Sequence, residues 1–331
     1  MTERAQSTQR ALRLGTRRSK LAMAQSGHVA DAVRRLTGRP VELVEITTYG
    51  DVSREHLAQI GGTGVFVTAL RDALLAGEVD FAVHSLKDLP TTQPDELALA
   101  AIPRREDPRD VLVARDGLPL AELAAPAQGR VARVGTGSPR RMAQLNAYAR
   151  DHGLRIETVP IRGNVDTRIG FVRDGELDAV VLAAAGLNRI GRSGEITEYL
   201  SVDTVLPAPG QGALAIECPA ADEELVAVLA RLDDPHTRAA VTAERSLLAA
   251  LEAGCSAPVG ALADLPPSGD HDVHEMRLRG VVGTTDGSTL VQLSTTGPVP
   301  TSHHDAVALG RELASEMLAK GAAGLMGERA L

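Results

Sequence analysis

Two stretches of the chain resemble each other, GEVDFAV at residues 77–83 and GELDAVV at residues 175–181. In each, a glycine and a glutamate close a segment with helical spacing, and an aspartate leads into an apolar run that is typical of a buried strand. A helix that passes directly into a buried strand is the repeating element of βαβ units. The two stretches therefore predict two similar α/β domains.

Strand and helix patterns alternate around both stretches. The predicted strands cover residues 12–15, 41–47, 81–83, 130–134, 155–161 and 177–184, and the predicted helices cover residues 21–36, 65–76, 140–150 and 164–173. This alternation predicts a mostly parallel sheet in each domain.

Three changes in composition mark the boundaries of these regions. Residues 102–109 hold two prolines and a dense run of charges, which indicates a linker, and the Pro/Gly-rich residues 206–212 close the second region. After Asp233-Asp234-Pro235 we expect a helix through Ala253, strands joined by a turn at 285–287, and a last helix from His304 to about Lys320. This order predicts a small C-terminal α+β domain.

Composition excludes several classes of protein. The chain has 331 residues, 44% of them hydrophobic and 24% charged, with a formal net charge of −8, 2% aromatic residues and no tryptophan. The negative charge disfavours non-specific nucleic-acid binding, and the scarcity of aromatic residues disfavours base stacking. No apolar run approaches the roughly 20 residues of a membrane span, and residues 1–13 lack the apolar core of a secretory signal. We expect a cytoplasmic protein without a nucleic-acid or membrane partner.

Five predicted loops place cations and small polar side chains after strands. They are residues 15–19, 84–88, 135–141, 162–168 and 188–189. Ligands of open α/β sheets bind beyond the carboxyl ends of the strands, where helix N-termini favour anions. We therefore expect a polyanionic ligand held between the two α/β domains. The alternative is that these cations are ordinary solvated surface charges.

The residue types disfavour the familiar nucleotide-binding motifs and fit a carboxylate-rich anion as well as a phosphate. Neither a phosphate-binding GxxxxGK(S/T) motif nor a GxGxxG motif after the first strand is present. Lysine occurs only at positions 20, 87 and 320, so arginine supplies most of the cations. Guanidinium groups bind carboxylates through paired hydrogen bonds.

Two residues are candidates for the chemistry itself. Asp88 follows a buried strand, and near arginines its carboxylate would stay ionised and stabilise a developing cation or transfer a proton; the alternative is a strand-end ion pair. Cys255 follows Gly254, a natural left-handed helix cap, on a predicted tight loop. Its thiol is a candidate nucleophile or covalent attachment point, and the alternative is a small buried side chain. Cys218, in an apolar run, fits the buried alternative better.

Metal binding is not predicted. His271 and His274 with nearby aspartates, and the pair His303-His304, lack a complete ligand set, and two cysteines cannot form a four-thiolate zinc site or a disulfide framework. No GxSxG motif supports a serine triad.

Nine motifs occur in an order that points to one family. They are GTRRS (15–19), GGTGVF (61–66), HSLKD (84–88), REDPRD (105–110), GTGSPRR (135–141), RGNVDTR (162–168), AGLNR (185–189), PAPGQG (207–212) and LEAGCSAP (251–258). Over nearly the full length, the chain resembles the hydroxymethylbilane synthase (porphobilinogen deaminase) family, cytoplasmic transferases of heme and other tetrapyrrole biosynthesis.

The resemblance implies a monomer of three domains. Residues 1–103 with about 213–231 would form the first α/β domain, residues 107–206 the second, and residues 235–331 an α+β domain that carries the cofactor. The first two domains would be similar to periplasmic binding-protein lobes.

The resemblance also implies the reaction and its residues. Four porphobilinogen molecules would condense head to tail, with loss of ammonia, on a dipyrromethane cofactor bound through a thioether to Cys255, before hydrolysis releases linear hydroxymethylbilane. Asp88 would be the catalytic residue that stabilises positive charge on the pyrroles. The cofactor-binding positions would be Ser19, Ser85, Lys87, Asp88, Thr136, Ser138, Arg140, Arg141, Arg162 and Gly163. The substrate-binding positions would be Arg17, Gln25, Arg162, Arg168, Arg189 and Gln211.

The chain departs from the family at Thr63, where a lysine is common in the glycine loop, and at Pro139, which is compatible with a helix start. The loss of that lysine leaves the carboxylate contact of the loop to another group, although we still expect the loop to act as a lid.

Two other functions fit parts of the pattern. A two-lobed anion-binding module without catalysis would use the same arginine loops, but it would not need Cys255. An acyl- or glycosyl-transferring enzyme with a nucleophilic cysteine would need a histidine partner, and none lies near Cys255 in sequence.

Overall fold

The computed structural model describes residues 10–47, 64–254, 257–264 and 275–326. Thr63 with its glycine loop, Cys255, His271 and His274 lie outside these residues. The chain divides into two compact units. The first unit comprises residues 1–84, 92–102 and 214–233, and the second unit comprises residues 85–91, 103–213 and 234–331.

A five-stranded sheet organises the first unit, in the order β2-β1-β3-β10-β4. Its strands are β1 (Leu12–Thr16), β2 (Val41–Glu45), β3 (Phe81–Ser85), β4 (Leu97–Ala101) and β10 (Leu214–Pro219), and its helices are α1 (Lys20–Thr37), α2 (Gly64–Leu75) and α7 (Glu223–Leu229). Leu14, Phe81 and Ile216 are fully buried in the core that α1 covers. Cys218 is also fully buried there, as its apolar surroundings predict.

A second five-stranded sheet lies in the second unit, in the order β7-β6-β8-β5-β9. Its strands are β5 (Asp110–Ala114), β6 (Ala132–Gly135), β7 (Ile156–Val159), β8 (Ala179–Ala183) and β9 (Glu198–Tyr199), and the nearby helices are α3 (Leu120–Leu123), α4 (Pro139–Asp151), α5 (Val165–Arg173) and α6 (Ala184–Arg189). Buried apolar side chains cover both faces, with Leu112 and Leu145 in one cluster and Val180 and Leu187 in the other.

The rest of the second unit holds a three-stranded antiparallel sheet, in the order β11-β12-β13. It consists of β11 (Val259–Asp264), β12 (Glu275–Gly283) and β13 (Leu290–Pro298), and two helices, α8 (Pro235–Ala250) and α9 (His303–Ala319), pack with it. Leu247 and Met317 meet in its core. This arrangement confirms the predicted C-terminal α+β region.

The two similar sequence stretches occupy equivalent places in their sheets. Asp80 accepts a hydrogen bond from the backbone N–H of Arg13 at 2.7 Å, and Asp178 accepts one from the backbone N–H of Arg133 at 2.8 Å. The residue after each aspartate pairs with the residue after each arginine, in parallel register. The internal similarity is therefore one of structure, and the predicted α/β fold class with a small third sheet is confirmed.

The prediction of mostly parallel sheets needs a correction. Strands β1, β2 and β3, and likewise β6, β7 and β8, pair in parallel, but β4 pairs antiparallel with β10, and β5 pairs antiparallel with β8 and β9. The sequence patterns did not predict β4, β5 or β9 as strands. Long-range pairing partners of this kind are not encoded in local periodicity.

The predicted three-domain boundaries stay a prediction. No helix among the residues that the structure describes is both long and apolar enough to cross a membrane.

Candidate active site

A short turn at the end of β3 carries the candidate catalytic residue. Leu86–Asp88 form one turn of 3-10 helix, which the N–H of Leu89 closes onto the carbonyl of Leu86 at 3.1 Å. Leu86 and Leu89 are fully buried, and they anchor the turn. Lys87 and Asp88, on the same turn, are half-buried.

Lys87 lines a small open cavity in the second unit. The lining residues are Lys87, Ser138, Arg140, Ala208, Pro209, Leu248, Gly254, Ala257 and Val259. Gly254 and Ala257 are the described residues on either side of the segment that contains Cys255. The predicted anion-binding residues and the neighbours of the predicted attachment point therefore share one cavity.

Arg140 and Arg141, at the start of α4, converge on one carboxylate. Arg140 donates to Asp110 at 2.8 Å and Arg141 donates to its other oxygen at 2.7 Å, and all three side chains are buried. Burial would raise the pKa of Asp110, but the charges of Arg140 and Arg141 outweigh it and hold that pKa far below its ordinary value. Asp110 is therefore a fixed negative charge that orients two guanidinium groups.

Gln211 connects this group to Lys87. Its amide nitrogen donates to Asp110 at 2.8 Å and to the carbonyl of Pro108 at 2.7 Å, and its amide oxygen lies 3.5 Å from the Lys87 amine. Burial lowers the pKa of Lys87 to about 8, an effect that Asp88 opposes and Arg141 reinforces. Close to neutral pH the Lys87 amine is charged, and it loses this charge in mildly alkaline solution.

The loop between β6 and α4 supplies hydroxyl groups and a helix start. Ser138 caps α4 by accepting from the backbone N–H of Arg141, and Thr136 accepts from the backbone N–H of Ser138 at 3.2 Å. Pro139 occupies the first turn, where its missing N–H costs nothing. Thr136 is fully buried and therefore shapes the loop, whereas Ser138 reaches the cavity.

The loop before α5 and the first turn of α5 hold three further predicted residues. Gly163 has a φ of +111° and its carbonyl accepts from Arg168 at 2.8 Å, while Arg162 is exposed. Burial, followed by the charge of Arg141, lowers the pKa of Arg168. Arg168 therefore belongs to the same positive field as Arg141, and nothing in the described contacts ties Arg162 to it.

Arg189 differs from its prediction as a loop residue. It is the last residue of α6, and its guanidinium donates to the carbonyl of Gly212 at 2.6 Å. Gly212 has a φ of +86°, and a β-carbon there would lie 2.5 Å from the carbonyl oxygen of Glu106. Arg189 thus braces the segment that carries Gln211.

The remaining predicted residues lie near the N-terminus of α1 and at the end of β3. In the first unit, Ser19 caps α1 by accepting from the N–H of Ala22 at 3.2 Å, Gln25 is buried on α1, and Arg17 precedes the cap half-buried. Ser85, half-buried, is the first residue of the second unit and precedes the Lys87 turn.

Sequence reasoning gave no role to Asp110, Glu244 or Arg245, although each organises the site. Fully buried Glu244 receives two hydrogen bonds from Arg105, at 2.6 and 3.0 Å, and one from the N–H of Gly210 at 2.7 Å. An acidic residue that opens or interrupts an apolar pattern could have revealed Asp110 and Glu244, because a buried carboxylate needs hydrogen-bond partners.

The site has the donors that a polycarboxylate needs. Among the residues that the structure describes, the buried Nε of Arg141 has no hydrogen-bond partner. Lys87, Ser138 and Arg140 present donors to the cavity described above. The part of the chain that the structure describes contains no group of three or more histidine, cysteine or acidic side chains that could hold a metal ion.

Solved structures similar to this chain include periplasmic binding proteins. A periplasmic binding protein of high arginine specificity from Salmonella typhimurium matches with a TM-score of 0.35 and 14% identity, over 67% of this chain and 91% of that one. A probable amino-acid ABC transporter extracellular-binding protein from Bacillus subtilis matches with a TM-score of 0.39 and 10% identity, over 67% and 90%. A likeness at this level carries no inference about ligand or activity.

Sequence comparison is decisive. Porphobilinogen deaminase 1 of Streptomyces avermitilis is 83% identical over 97% of this chain and 99% of its own length. The porphobilinogen deaminases of Thermobifida fusca and Mycobacterium tuberculosis are 56% and 52% identical over 94% and 95% of this chain, and over 94% and 98% of their own lengths. The model for porphobilinogen deaminase, dipyromethane cofactor binding domain, matches residues 12–227, and that for the C-terminal domain matches residues 238–319. The resemblance found in the motifs is thus confirmed, and the chain belongs to the porphobilinogen deaminase family.

Proposed function

We propose that the chain is a hydroxymethylbilane synthase that condenses four porphobilinogen molecules head to tail on a dipyrromethane primer attached to Cys255. The observation that supports this most is the cavity in which Lys87, Ser138 and Arg140 meet Gly254 and Ala257, the described residues flanking the Cys255 segment. An anion-binding module would have no reason to place Gly254 and Ala257, which flank a cysteine in the sequence, beside its lysine and arginine.

The residues present fit a primer rich in carboxylates. Four cations influence one another electrostatically here: Lys87, Arg140, Arg141 and Arg168. The negative charges that act on this group are those of Asp88 and Asp110, so positive charge is in excess. The surplus of positive charge and the Ser138 hydroxyl in the cavity suit acetate and propionate groups. When bound, the dipyrromethane supplies a pyrrole carbon to which new units are added.

Asp88 is the residue to which we assign the catalytic role. Its carboxylate stands on a turn fixed by two buried leucines, so it is held in place before the substrate arrives. A carboxylate beside a pyrrole N–H accepts that hydrogen bond and stabilises the positive charge that develops as ammonia leaves. A preorganised carboxylate needs no reorganisation during this step.

Asp110, in contrast, stays ionised and paired. Two arginines and Gln211 occupy its oxygens, so it holds Arg140 and Arg141 at a fixed orientation while their remaining donors serve the ligand. We assign the binding of cofactor and substrate carboxylates also to Ser19, Ser85, Thr136, Arg162 and Gly163 and to Arg17, Gln25, Arg189 and Gln211, by their match to the family motifs.

The proposal is tested by incubating the purified chain with porphobilinogen. We expect release of ammonia, stepwise increases in protein mass by single pyrrole units, and a linear tetrapyrrole in solution. Asp88→Asn, which keeps the size of the side chain but removes its charge, should lower turnover at least 100-fold, whereas Asp174→Asn, at an exposed ion pair, should not change it. A chain that binds porphobilinogen without releasing ammonia or gaining mass would favour the anion-binding module.

The family resemblance also supports a cytoplasmic monomer as the working form. Light scattering on the purified chain should give a mass near 34.7 kDa, and a dimer mass would contradict this part of the proposal.

A further inference from the structure

Arg245 on helix α8 contacts the turn that carries Lys87 and Asp88. One terminal nitrogen of Arg245 donates to the carbonyls of Leu86 and Leu89, at 3.2 and 2.9 Å, and the other donates to the carbonyl of Pro90 at 2.7 Å. The Leu86 carbonyl already accepts the N–H of Leu89, whereas the carbonyls of Leu89 and Pro90 follow the turn and, like the last carbonyls of any helical turn, have no partner within it. Arg245 therefore satisfies the backbone at the end of the turn from outside it.

Gly210 also packs closely against the turn. Gly210 approaches so closely that a β-carbon there would lie 3.2 Å from the Leu86 side chain and 3.5 Å from the backbone nitrogen of Lys87. Gly210 itself donates to Glu244, the neighbour of Arg245 on α8. Two adjacent residues of α8 thus hold the turn: Glu244 acts through Gly210, and Arg245 binds its backbone carbonyls directly.

Helix α8 also contributes to the cavity. Leu248 lies one helical turn after Arg245, on the same side of α8, and it lines the cavity with Lys87 and Gly254. The helix that holds the turn therefore leads directly into the segment next to Cys255. A shift of the turn relative to α8 would change the distance between Asp88 and a primer attached to Cys255.

We propose that Arg245 is a positioning residue for Asp88: it fixes the Leu86–Pro90 turn to α8 through three backbone carbonyls and does not itself contact substrate. This inference rests on the proposed function, because Asp88 is the residue it positions. Only a guanidinium can reach three carbonyls with a planar set of donors, so lysine is not an equivalent replacement.

The first test compares Arg245→Gln and Arg245→Lys with Arg133→Gln. Arg133 lies in the same unit and also donates to a backbone carbonyl, that of Glu176 at 2.8 Å, but its side chain is exposed on β6 and does not line the cavity. We expect Arg245→Gln to lower kcat about 10- to 100-fold while KM for porphobilinogen changes less than twofold, since a displacement of about 1 Å costs this much in rate. Arg245→Lys should recover part of the loss, and Arg133→Gln should leave kcat unchanged.

The second test does not depend on activity. The chain has only three lysines, so ¹³Cε-lysine labelling gives three signals, which Lys20→Arg and Lys320→Arg assign. In the full chain with Cys255→Ser, Lys87 should titrate near pH 8. Arg245→Gln should move this titration toward 10.5 as the turn loosens and the amine gains water, and Arg133→Gln should leave it in place.

Each outcome is decisive for the positioning role. If Arg245→Gln leaves both kcat and the Lys87 titration unchanged, Arg245 does not position the turn. A fall in kcat with an unmoved Lys87 titration would likewise overturn the proposal. If the unsubstituted chain does not turn over porphobilinogen, the proposed function fails, while the lysine titration still decides whether Arg245 holds the turn.

Discussion

Asp110 and Arg141 form an ion pair with a separation of 2.7 Å in which the carboxylate is fully buried. The pair stands where a buried strand begins and a helix starts, and Arg140 reaches the other carboxylate oxygen. Two cations share one anion in this cluster, so it retains positive charge for a ligand while each guanidinium keeps a fixed orientation. Electrostatic sites work best when their groups are oriented in advance.

Asp110→Asn tests this arrangement. The variant leaves Arg140 and Arg141 buried without their counter-ion, and we expect a loss of about 3–5 kcal/mol in the free energy of unfolding. Urea denaturation measures it. Asp174→Asn, at an exposed pair with Arg173, should change stability by less than about 0.5 kcal/mol. Equal effects of the two substitutions would show that Asp110 is not the counter-ion described here.

Lys87 gives the site a pH dependence. Its pKa is lowered to about 8, so the charged form that binds a carboxylate prevails below pH 8 and is lost above it. We expect the rate at which cofactor-free protein gains mass from porphobilinogen to fall between about pH 8 and 9.5. Lys87→Arg should remove this fall, because a guanidinium stays protonated throughout the range. An identical alkaline profile in both proteins would assign the titration to another group.

The first unit has its own buried ionic cluster, centred on Glu217. Arg71 donates to it at 2.8 Å, His84 lies 3.0 Å from it and Gln93 donates at 2.9 Å. Burial would raise the pKa of Glu217, but the hydrogen bonds from His84 and Arg71 outweigh this effect and lower the pKa to about 2.

Glu217→Gln should therefore destabilise the protein in a pH-dependent way. Because the folded-state pKa lies below the unfolded value, the stabilisation is complete above about pH 4.5 and is lost as pH falls toward 2. We expect a deficit of about 3–5 kcal/mol at pH 7 that shrinks through this window. Denaturation curves at several pH values measure it, and a deficit that is constant down to pH 2 would contradict the assignment.

The sequence predicts the parts of this molecule that rest on local physics. The helices that begin near residues 20 and 139 and the alternation of strands and helices follow from periodicity. Lys87, Ser138 and Arg140, from two of the motifs, line one cavity.

The remaining features depend on contacts between distant residues. Asp110 lies 30 residues before Arg140, and Arg245 lies 159 residues after Leu86. Local patterns do not reveal which arginine meets which carboxylate, and the same limit applies to the antiparallel pairing of β4 with β10. The assignment of Arg189 to a loop was wrong because the short helix α6 lacks a capping side chain that would mark its start.

The attachment of the primer to Cys255 is the central claim, and the intact mass of the protein purified under reducing conditions tests it most directly. The unsubstituted chain should exceed its sequence mass by two linked pyrrole units, and Cys255→Ser, prepared in parallel, should not. Cofactor-free protein should acquire the same increment from porphobilinogen. A mass that matches the bare sequence before and after this incubation, or an increment that persists in Cys255→Ser, would contradict the account.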